Sequence, residues 1–126
     1  GGSVENVDDA RMQELVAQGV RVIDVRTAGE YQMGHIPGAE NVPLSGFQAA
    51  AATWDPAQPL AVYCATGERS LSAVQHLEGR GFSQVYHFNA GIIAYSGELQ
   101  TADSATQVPD TEVVNTPVMY EFYTDW

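Results

Sequence analysis

The 126-residue chain contains a single cysteine, Cys64, which directly follows the apolar run Leu60-Ala61-Val62-Tyr63. The loop that begins there leads from a predicted strand into a predicted helix and reads Cys64-Ala65-Thr66-Gly67-Glu68-Arg69-Ser70. Successive backbone N–H groups in such a turn point inward and bind anions, and the amino end of the helix adds positive potential. Gly67 permits backbone angles that a β-carbon would resist, and Arg69 carries a permanent positive charge. These residue types in this order predict a cradle for an anionic sulfur.

A nucleophilic role for Cys64 requires a lowered pKa, because a free cysteine is only a few per cent thiolate at pH 7. Lowering that pKa by two units takes about 2.7 kcal/mol. A helix terminus supplies about 0.3–1 kcal/mol, whereas each hydrogen bond to a charged group contributes about 1.5–3 kcal/mol. We therefore expect two loop N–H groups, rather than the helix dipole, to hold the thiolate. The alternative for a lone cysteine is a small, buried apolar side chain.

The composition excludes several classes of chemistry. Sixteen acidic residues face five basic ones, all of them arginines, and the formal net charge is −11. The absence of lysine excludes Schiff-base catalysis and the lysine-containing phosphate loop, and the acidity argues against nucleic acids and anionic membranes as partners. No apolar run is long enough to predict a transmembrane helix. A single cysteine excludes an internal disulfide and a multi-cysteine metal site, and the sequence predicts neither a cofactor nor a bound metal.

The elements around the loop alternate between strands and helices. Strands are predicted at 4–7, 20–25, 39–42, 60–63 and 84–88, and helices at 10–18, 47–54, 68–79 and 91–99. Between the second and third strands, 27–38 is predicted to be mostly turn, with one helical turn around Glu30. This alternation predicts an α/β fold in which a parallel sheet is flanked by helices on both faces. Such sheets bind ligands outside the carboxyl ends of their strands, and Cys64 stands at one of those ends.

The loop 64–70 resembles the active-site loop of rhodanese-type sulfurtransferases. A second set of residues, in the right order, resembles the amino-terminal signature of the same family: Asp24-Val25-Arg26, Glu30-Tyr31, Gly34-His35-Ile36-Pro37-Gly38-Ala39 and Asn41-Val42-Pro43. Two separated motifs are more specific than the loop alone. The resemblance extends over about 4–99 and implies a rhodanese domain at 4–100, with the parallel α/β sheet of that family.

The resemblance also implies a reaction in two steps. The Cys64 thiolate would attack the outer sulfur of a donor such as thiosulfate, so that a persulfide forms and sulfite leaves. A thiophilic acceptor, such as cyanide or a protein thiol, would then take the sulfur. Cys64 would be the catalytic residue, and Arg69 would orient the sulfonate oxygens. The substrate-binding residues implied by the resemblance are Ala65, Thr66, Gly67, Glu68 and Arg69.

Two other functions compete with sulfur transfer. The related phosphatases have five residues between cysteine and arginine, whereas this chain has four, and the tighter ring favours a single sulfur over a tetrahedral phosphate. Glu68 would also repel a dianion if its side chain pointed inward. The second alternative is a rhodanese-like binding module or redox-relay module that serves a fused thioredoxin domain. The presence of Cys64, Gly67 and Arg69 argues against an inactive module.

The remaining charged residues of the first motif have structural interpretations. Asp24 follows an apolar strand, and pairing with Arg26 or with backbone amides is expected because a buried carboxylate needs partners. Glu30 is expected to stabilise the turn that follows it, and His35 is expected to bond the turn to its neighbours. Two further histidines have no cysteine nearby, so metal ligation is not expected for them: His76 and His87.

The ends of the chain differ from its body. Residues 1–3 are interpreted as a vector-derived remnant, and 98–126 carry six acidic residues and no basic one. The polar stretch 101–116 is predicted to be a linker. The segment 117–126 resembles the strand that precedes the redox motif of thioredoxins, which suggests a rhodanese–thioredoxin fusion and a thioredoxin-like thiol acceptor. The alternative is a carboxy-terminal strand that packs on the sheet edge or forms a dimer with another copy.

Overall fold

The computed structural model describes residues 3–101, and in this part of the chain five parallel strands form one sheet with helices on both faces. The strands are β1 (Val4–Asn6), β2 (Arg21–Asp24), β3 (Glu40–Asn41), β4 (Leu60–Tyr63) and β5 (Val85–His87). The helices are α1 (Asp9–Ala17), α2 (Ala28–Met33), α3 (Leu44–Ala51) and α4 (Glu68–Gly79). The strand order is β1-β5-β4-β2-β3, with every neighbouring pair parallel. The predicted fold class is confirmed.

The central strand β4 carries the cysteine at its carboxyl end. It pairs with β2 on one side and β5 on the other, and all four of its residues are buried. Because side chains alternate between the faces of a sheet, Leu60 and Val62 contact one apolar cluster while Ala61 and Tyr63 contact the other. Cys64 follows the alternation of Leu60 and Val62 and lies in the first cluster. The run is continuously apolar because a parallel sheet is covered on both faces.

Each face of the sheet is covered by different helices. On the face of Cys64, α3 and α4 contribute the buried side chains of Phe47, Ala51, Ala73, Val74 and Leu77. On the opposite face, α1 contributes Met12 and Leu15. None of the helices in the described part of the chain is long and apolar enough to cross a membrane.

Two predicted helices differ from the observed ones. The helix predicted at 47–54 lies at Leu44–Ala51, because Pro43 occupies its amino-terminal cap and the chain turns into the helix directly after it. The helix predicted at 91–99 is wrong, since only one 3-10 turn forms there, Ile92–Ala94. The backbone is extended at Tyr95, so the turn does not continue as a helix, and the N–H groups of Ile92 and Ile93 donate to the carbonyls of Cys64 and Ala65.

The ends of the described region are held by backbone pairing. Ser3, assigned to the vector-derived remnant, donates to Phe82 O and accepts from Val85 N, at 3.0 and 3.1 Å. At the other end, His35 and Gln100 exchange two backbone hydrogen bonds of 2.8 Å. Of the predicted linker, only Thr101 lies within the described residues, and the predicted thioredoxin-like strand at 117–126 lies outside them.

Candidate active site

The Cys64 sulfur lies at the bottom of the loop that connects β4 to α4. Its side chain is fully buried, and the backbone N–H of Gly67 donates to Sγ at an N···S distance of 3.0 Å. The hydroxyl of Ser70, in the first turn of α4, lies 3.3 Å from the same sulfur. The structure therefore surrounds Sγ with hydrogen-bond donors, as expected for a sulfur that carries negative charge.

Two glycines allow the loop to pack against the segment that follows β5. Gly67 has a φ of +106°, and a β-carbon there would lie 2.1 Å from the carbonyl oxygen of Asn89. Gly91 has a φ of +83°, and a β-carbon there would lie 2.1 Å from the carbonyl oxygen of Ala65. Ile92 N also donates to Cys64 O at 2.9 Å. The backbone around Cys64 is thus fixed by residues about 25 positions further along the chain.

Opposing influences set the pKa of Cys64. Burial is the largest single influence, and it acts to raise the pKa because it disfavours the charged form. Hydrogen bonds from the Ser70 hydroxyl and from the backbone N–H groups of Ser70, Gly67 and Thr66 act in the opposite direction. Together they outweigh burial, so that the pKa of Cys64 lies below its ordinary value. Loop hydrogen bonds are therefore the source of thiolate stabilisation in this structure.

Ser70 and His87 are contacts of the site that sequence reasoning missed. The Ser70 hydroxyl lies 2.7 Å from Nε2 of His87, which faces it from β5, and 3.2 Å from the carbonyl oxygen of Gly67. The position of Ser70, one residue after Arg69 in the first helical turn, was a signal that its hydroxyl points back at the sulfur. No local pattern indicated that His87 would lie behind it.

Arg69 is paired with a carboxylate of α2. Its Nη1 and Nη2 donate to Oε1 and Oε2 of Glu30 at 2.7 and 3.1 Å, in a two-bonded ion pair. Glu30 also accepts from the backbone N–H of Thr27, the capping residue of α2. Hydrogen bonds from Arg69 and then from Thr27 lower the pKa of Glu30 to about 2. Glu30 thus caps its own helix and holds Arg69, rather than stabilising the turn that follows it.

The other predicted substrate-binding residues take different positions. The side chain of Glu68 is exposed and accepts a hydrogen bond from Thr66 Oγ1, so it does not point into the loop. The expected repulsion of a dianion by an inward Glu68 is therefore not present. Thr66 contributes its backbone N–H to Cys64, and Ala65 contributes its carbonyl to the contact with Ile93. Thr66 and Ala65 therefore act through the backbone rather than through their side chains: Thr66 stabilises the sulfur, and Ala65 holds the shape of the loop.

A model of the Rhodanese-like domain family matches residues 7–98 of the chain. The chain belongs to this family. Thiosulfate sulfurtransferase GlpE of Pseudomonas fluorescens (strain SBW25) is 36% identical over 99 residues, which are 73% of this chain and 88% of that protein. A tRNA uridine(34) hydroxylase of Bradyrhizobium diazoefficiens is 37% identical over 105 residues, which are 78% of this chain but only 41% of the hydroxylase.

Solved structures agree with the family assignment. A rhodanese-like domain protein from Staphylococcus aureus superposes with a TM-score of 0.68 at 25% identity, covering 77% of this chain and 97% of that one. The human single-domain sulfurtransferase TSTD1 superposes with a TM-score of 0.65 at 25% identity, covering 73% and 95%. The rhodanese-like resemblance seen in the two motifs is confirmed.

The first motif of this rhodanese-like domain forms a buried polar network beside the loop. Asp24 is fully buried, and Arg26 Nη2 and Tyr63 OH each donate to its Oδ2 at 2.7 Å. Arg26 also donates to Gly34 O at 2.6 Å, and Ile36 N donates to Tyr63 OH at 3.1 Å. The predicted pairing of Asp24 with Arg26 is confirmed. Because Tyr63 immediately precedes Cys64, the network fixes the end of β4.

The histidines of the rhodanese-like domain have packing contacts. The His35 ring stacks on Tyr31 with ring centres 3.8 Å apart, and its Nδ1 lies 2.9 Å from Tyr31 O. His76 packs edge-on against Phe47. Within the described residues, no group of three or more histidine, cysteine or acidic side chains could hold a metal ion.

Proposed function

We propose that this rhodanese-like domain is a sulfurtransferase that carries sulfane sulfur as a persulfide on Cys64. The observation that carries the proposal is the position of Sγ at the end of β4, 3.0 Å from Gly67 N and 3.3 Å from Ser70 Oγ. These donors lower the pKa of Cys64 and so raise its thiolate fraction above that of a free cysteine. The sulfurtransferase names of the relatives support the same activity.

With thiosulfate as donor, the reaction proceeds by nucleophilic displacement at sulfur. The thiolate of Cys64 attacks the outer sulfur, a new S–S bond forms, and the donor S–S bond breaks with its electron pair leaving on sulfite. An acceptor thiolate or cyanide then attacks the outer sulfur of the persulfide, and the Cys64 thiolate is regenerated. The two half-reactions need no cofactor or external oxidant and give ping-pong kinetics.

The Ser70 hydroxyl and the loop N–H groups supply the anion stabilisation in this mechanism. The N–H groups of Thr66, Gly67 and Ser70 already lower the pKa of Cys64, and the same groups stabilise the persulfide anion. Arg69 stands beside the loop with two of its five N–H donors bonded to Glu30, which leaves the others for the oxygens of the donor. Because Glu30 offsets the charge of Arg69, the guanidinium orients the donor more than it attracts it.

A protein thiol is the acceptor that the surroundings of the loop favour. Two large apolar side chains are exposed on segments that contact the loop: Met33 is 83% exposed and Ile93 is 78% exposed. Met33 lies one turn after Glu30 on α2, and the backbone N–H of Ile93 bonds to the loop at Ala65. Exposed apolar side chains of this kind suit a protein surface better than a small anion. The thioredoxin-like sequence at 117–126 supports a dithiol acceptor, which would gain effective concentration if tethered.

Intact-mass measurement before and after incubation with thiosulfate tests the proposal. The protein should gain the mass of one sulfur atom, and cyanide should remove it again. Because Cys64 is the only cysteine of the chain, Cys64→Ser must abolish the gain. A Cys64→Ser variant with full thiosulfate-to-cyanide activity would show that the assignment is wrong. Hydrolysis of a generic aryl phosphate at a comparable rate would instead favour phosphatase chemistry.

A further inference from the structure

Two polar side chains are buried one behind the other on the sheet face of Cys64. Ser70 is fully buried and His87 is 3% exposed. Ser70 Oγ lies 3.3 Å from Cys64 Sγ and 2.7 Å from His87 Nε2, so the three groups form a continuous row. The row follows from the fold, because β5 pairs with β4 in a register that places His87 beside Val62, on the face where α4 packs.

The Ser70 hydroxyl has one hydrogen and three neighbours that can accept it. These are Cys64 Sγ, His87 Nε2 and, at 3.2 Å, the carbonyl oxygen of Gly67. A hydroxyl donates only one hydrogen bond at a time, and the bond to an ionised sulfur is the strongest of the three. When the hydroxyl donates to a thiolate, its contact with His87 can be a hydrogen bond only if Nε2 carries a hydrogen and donates to Oγ. The tautomer of His87 is thereby coupled to the charge on Cys64.

The surroundings of His87 keep its imidazole neutral and connect it to solvent. Burial lowers the pKa of His87. Cys64, directly after β4, lies on the far side of the Ser70 hydroxyl, Glu68 of α4 lines the same cavity as His87, and β1 pairs the uncharged Asn6 with His87. Glu68, Asn6 and His87 line a cavity of about 300 Å³, which gives the ring a route for proton exchange on a side that Cys64 does not line.

We propose that His87 is a positioning residue for sulfur transfer, which donates from Nε2 to Ser70 and thereby commits the Ser70 hydroxyl to the Cys64 thiolate. The inference rests on Cys64 being the sulfur carrier. No bond to sulfur or carbon changes in this role; when the charge on Cys64 changes, the ring of His87 loses a proton from one nitrogen to solvent and gains one on the other. When the negative charge moves to the outer sulfur of the persulfide, the Ser70 hydroxyl is released to turn toward Gly67 O or His87.

The rate of alkylation by iodoacetamide as a function of pH tests the role without requiring turnover, and the single cysteine makes the readout specific. Ser70→Ala should slow alkylation at pH 7 by about tenfold, the loss of one hydrogen bond to a charged group. His87→Phe should slow it by roughly three- to tenfold and move the profile to higher pH, because the Ser70 hydroxyl is no longer held. His87→Gln, which keeps an N–H donor, should remain within about twofold of the unchanged protein.

His76→Phe is the matched control, since His76 is a second histidine that packs beside α3 and has no hydrogen bond to Ser70 or Cys64. It should leave the alkylation profile unchanged. An unaltered profile in His87→Phe, with Ser70→Ala still shifted, overturns the role of His87. If Cys64 of the unchanged protein reacts like a free thiol, the proposed function itself fails, whatever the variants do.

Imidazole ¹⁵N NMR of the unchanged protein gives a second measurement that does not depend on how well the variants fold. We expect Nε2 of His87 to carry the hydrogen at a pH where Cys64 is ionised. A ring protonated only at Nδ1 under those conditions overturns the proposal, because Nε2 would then have no hydrogen to donate to Ser70.

Discussion

In this rhodanese-like domain, the guanidinium of Arg69 on α4 donates two hydrogen bonds to the carboxylate of Glu30 on α2, at 2.7 and 3.1 Å. The positive charge beside the sulfur is thus compensated by a carboxylate 39 residues earlier in the chain. We predict that Glu30→Gln lowers the KM for thiosulfate by about three- to tenfold, because it removes one negative charge near a dianionic donor. Steady-state kinetics at constant ionic strength measures the change.

The control for this kinetic prediction is Glu68→Gln. Glu68 lies in the same loop, but its side chain is exposed and bonded to Thr66, so its charge is more strongly screened and the KM should change less. A higher KM in Glu30→Gln would contradict the prediction and show that Glu30 acts mainly by holding Arg69 in place.

The same ion pair gives a stability difference that depends on pH. The pKa of Glu30 is about 2 in the folded protein, against an ordinary value of 4.5, so its stabilising contribution is complete above about pH 4.5 and is lost as the pH falls toward 2. Both side chains are 37% exposed, and solvent screening keeps the contribution below about 1 kcal/mol. Urea unfolding of the unchanged protein and of Glu30→Gln should differ at pH 6 and converge toward pH 2. A constant difference would exclude ionisation of Glu30 as its source.

We predict that Gly67→Ala lowers the free energy of unfolding by at least about 2 kcal/mol and strongly reduces sulfur transfer. A β-carbon at this position would meet Asn89 O at 2.1 Å, and its φ of +106° is strained for any other residue. Denaturant unfolding and persulfide formation measure the two effects. Gly79→Ala is the control, since its β-carbon would meet nothing within 4 Å and alanine is the better helix former. Equal effects of the two substitutions would contradict the explanation.

We predict that Asp24→Asn lowers the free energy of unfolding by about 3–5 kcal/mol, because it leaves Arg26 buried without its counter-charge. Glu40→Gln tests the same change in the partly exposed pair between Arg21 and Glu40, and it should cost less than about 1 kcal/mol. Chemical denaturation of both variants provides the comparison. Similar losses at the two sites would mean that burial does not determine the strength of these pairs.

The agreement between sequence and structure is greatest where local pattern decides the structure. The strand Leu60–Tyr63 and the helix Glu68–Gly79 form at their predicted bounds, since a short apolar run and a glycine-bounded helical pattern define both ends. The alanine-rich helix after Pro43 begins three residues earlier than predicted, because alanine favours a helix without marking where it begins. The predicted helix at 91–99 failed because the backbone is already extended at Tyr95, directly after the 3-10 turn.

For the candidate site, the sequence indicated the cysteine and its loop but not the partners that come from elsewhere in the fold. The pairs between Arg69 and Glu30 and between Ser70 and His87 join residues 39 and 17 positions apart. Neither spacing is a local pattern, and both contacts depend on how α2, α4 and β5 meet at one edge of the sheet. The pairing of Asp24 with Arg26 was predictable because the two residues are two positions apart and a buried carboxylate needs a partner.

The two glycine contacts around Cys64 also limit what the loop can admit. A β-carbon at Gly67 or Gly91 would lie 2.1 Å from the carbonyl oxygen of Asn89 or Ala65, so the loop has no room to move toward the segment that follows β5. We expect the size of this loop to select the substrate: a single sulfur atom needs no widening of the loop, whereas a tetrahedral group would require the loop after β4 and the segment after β5 to separate.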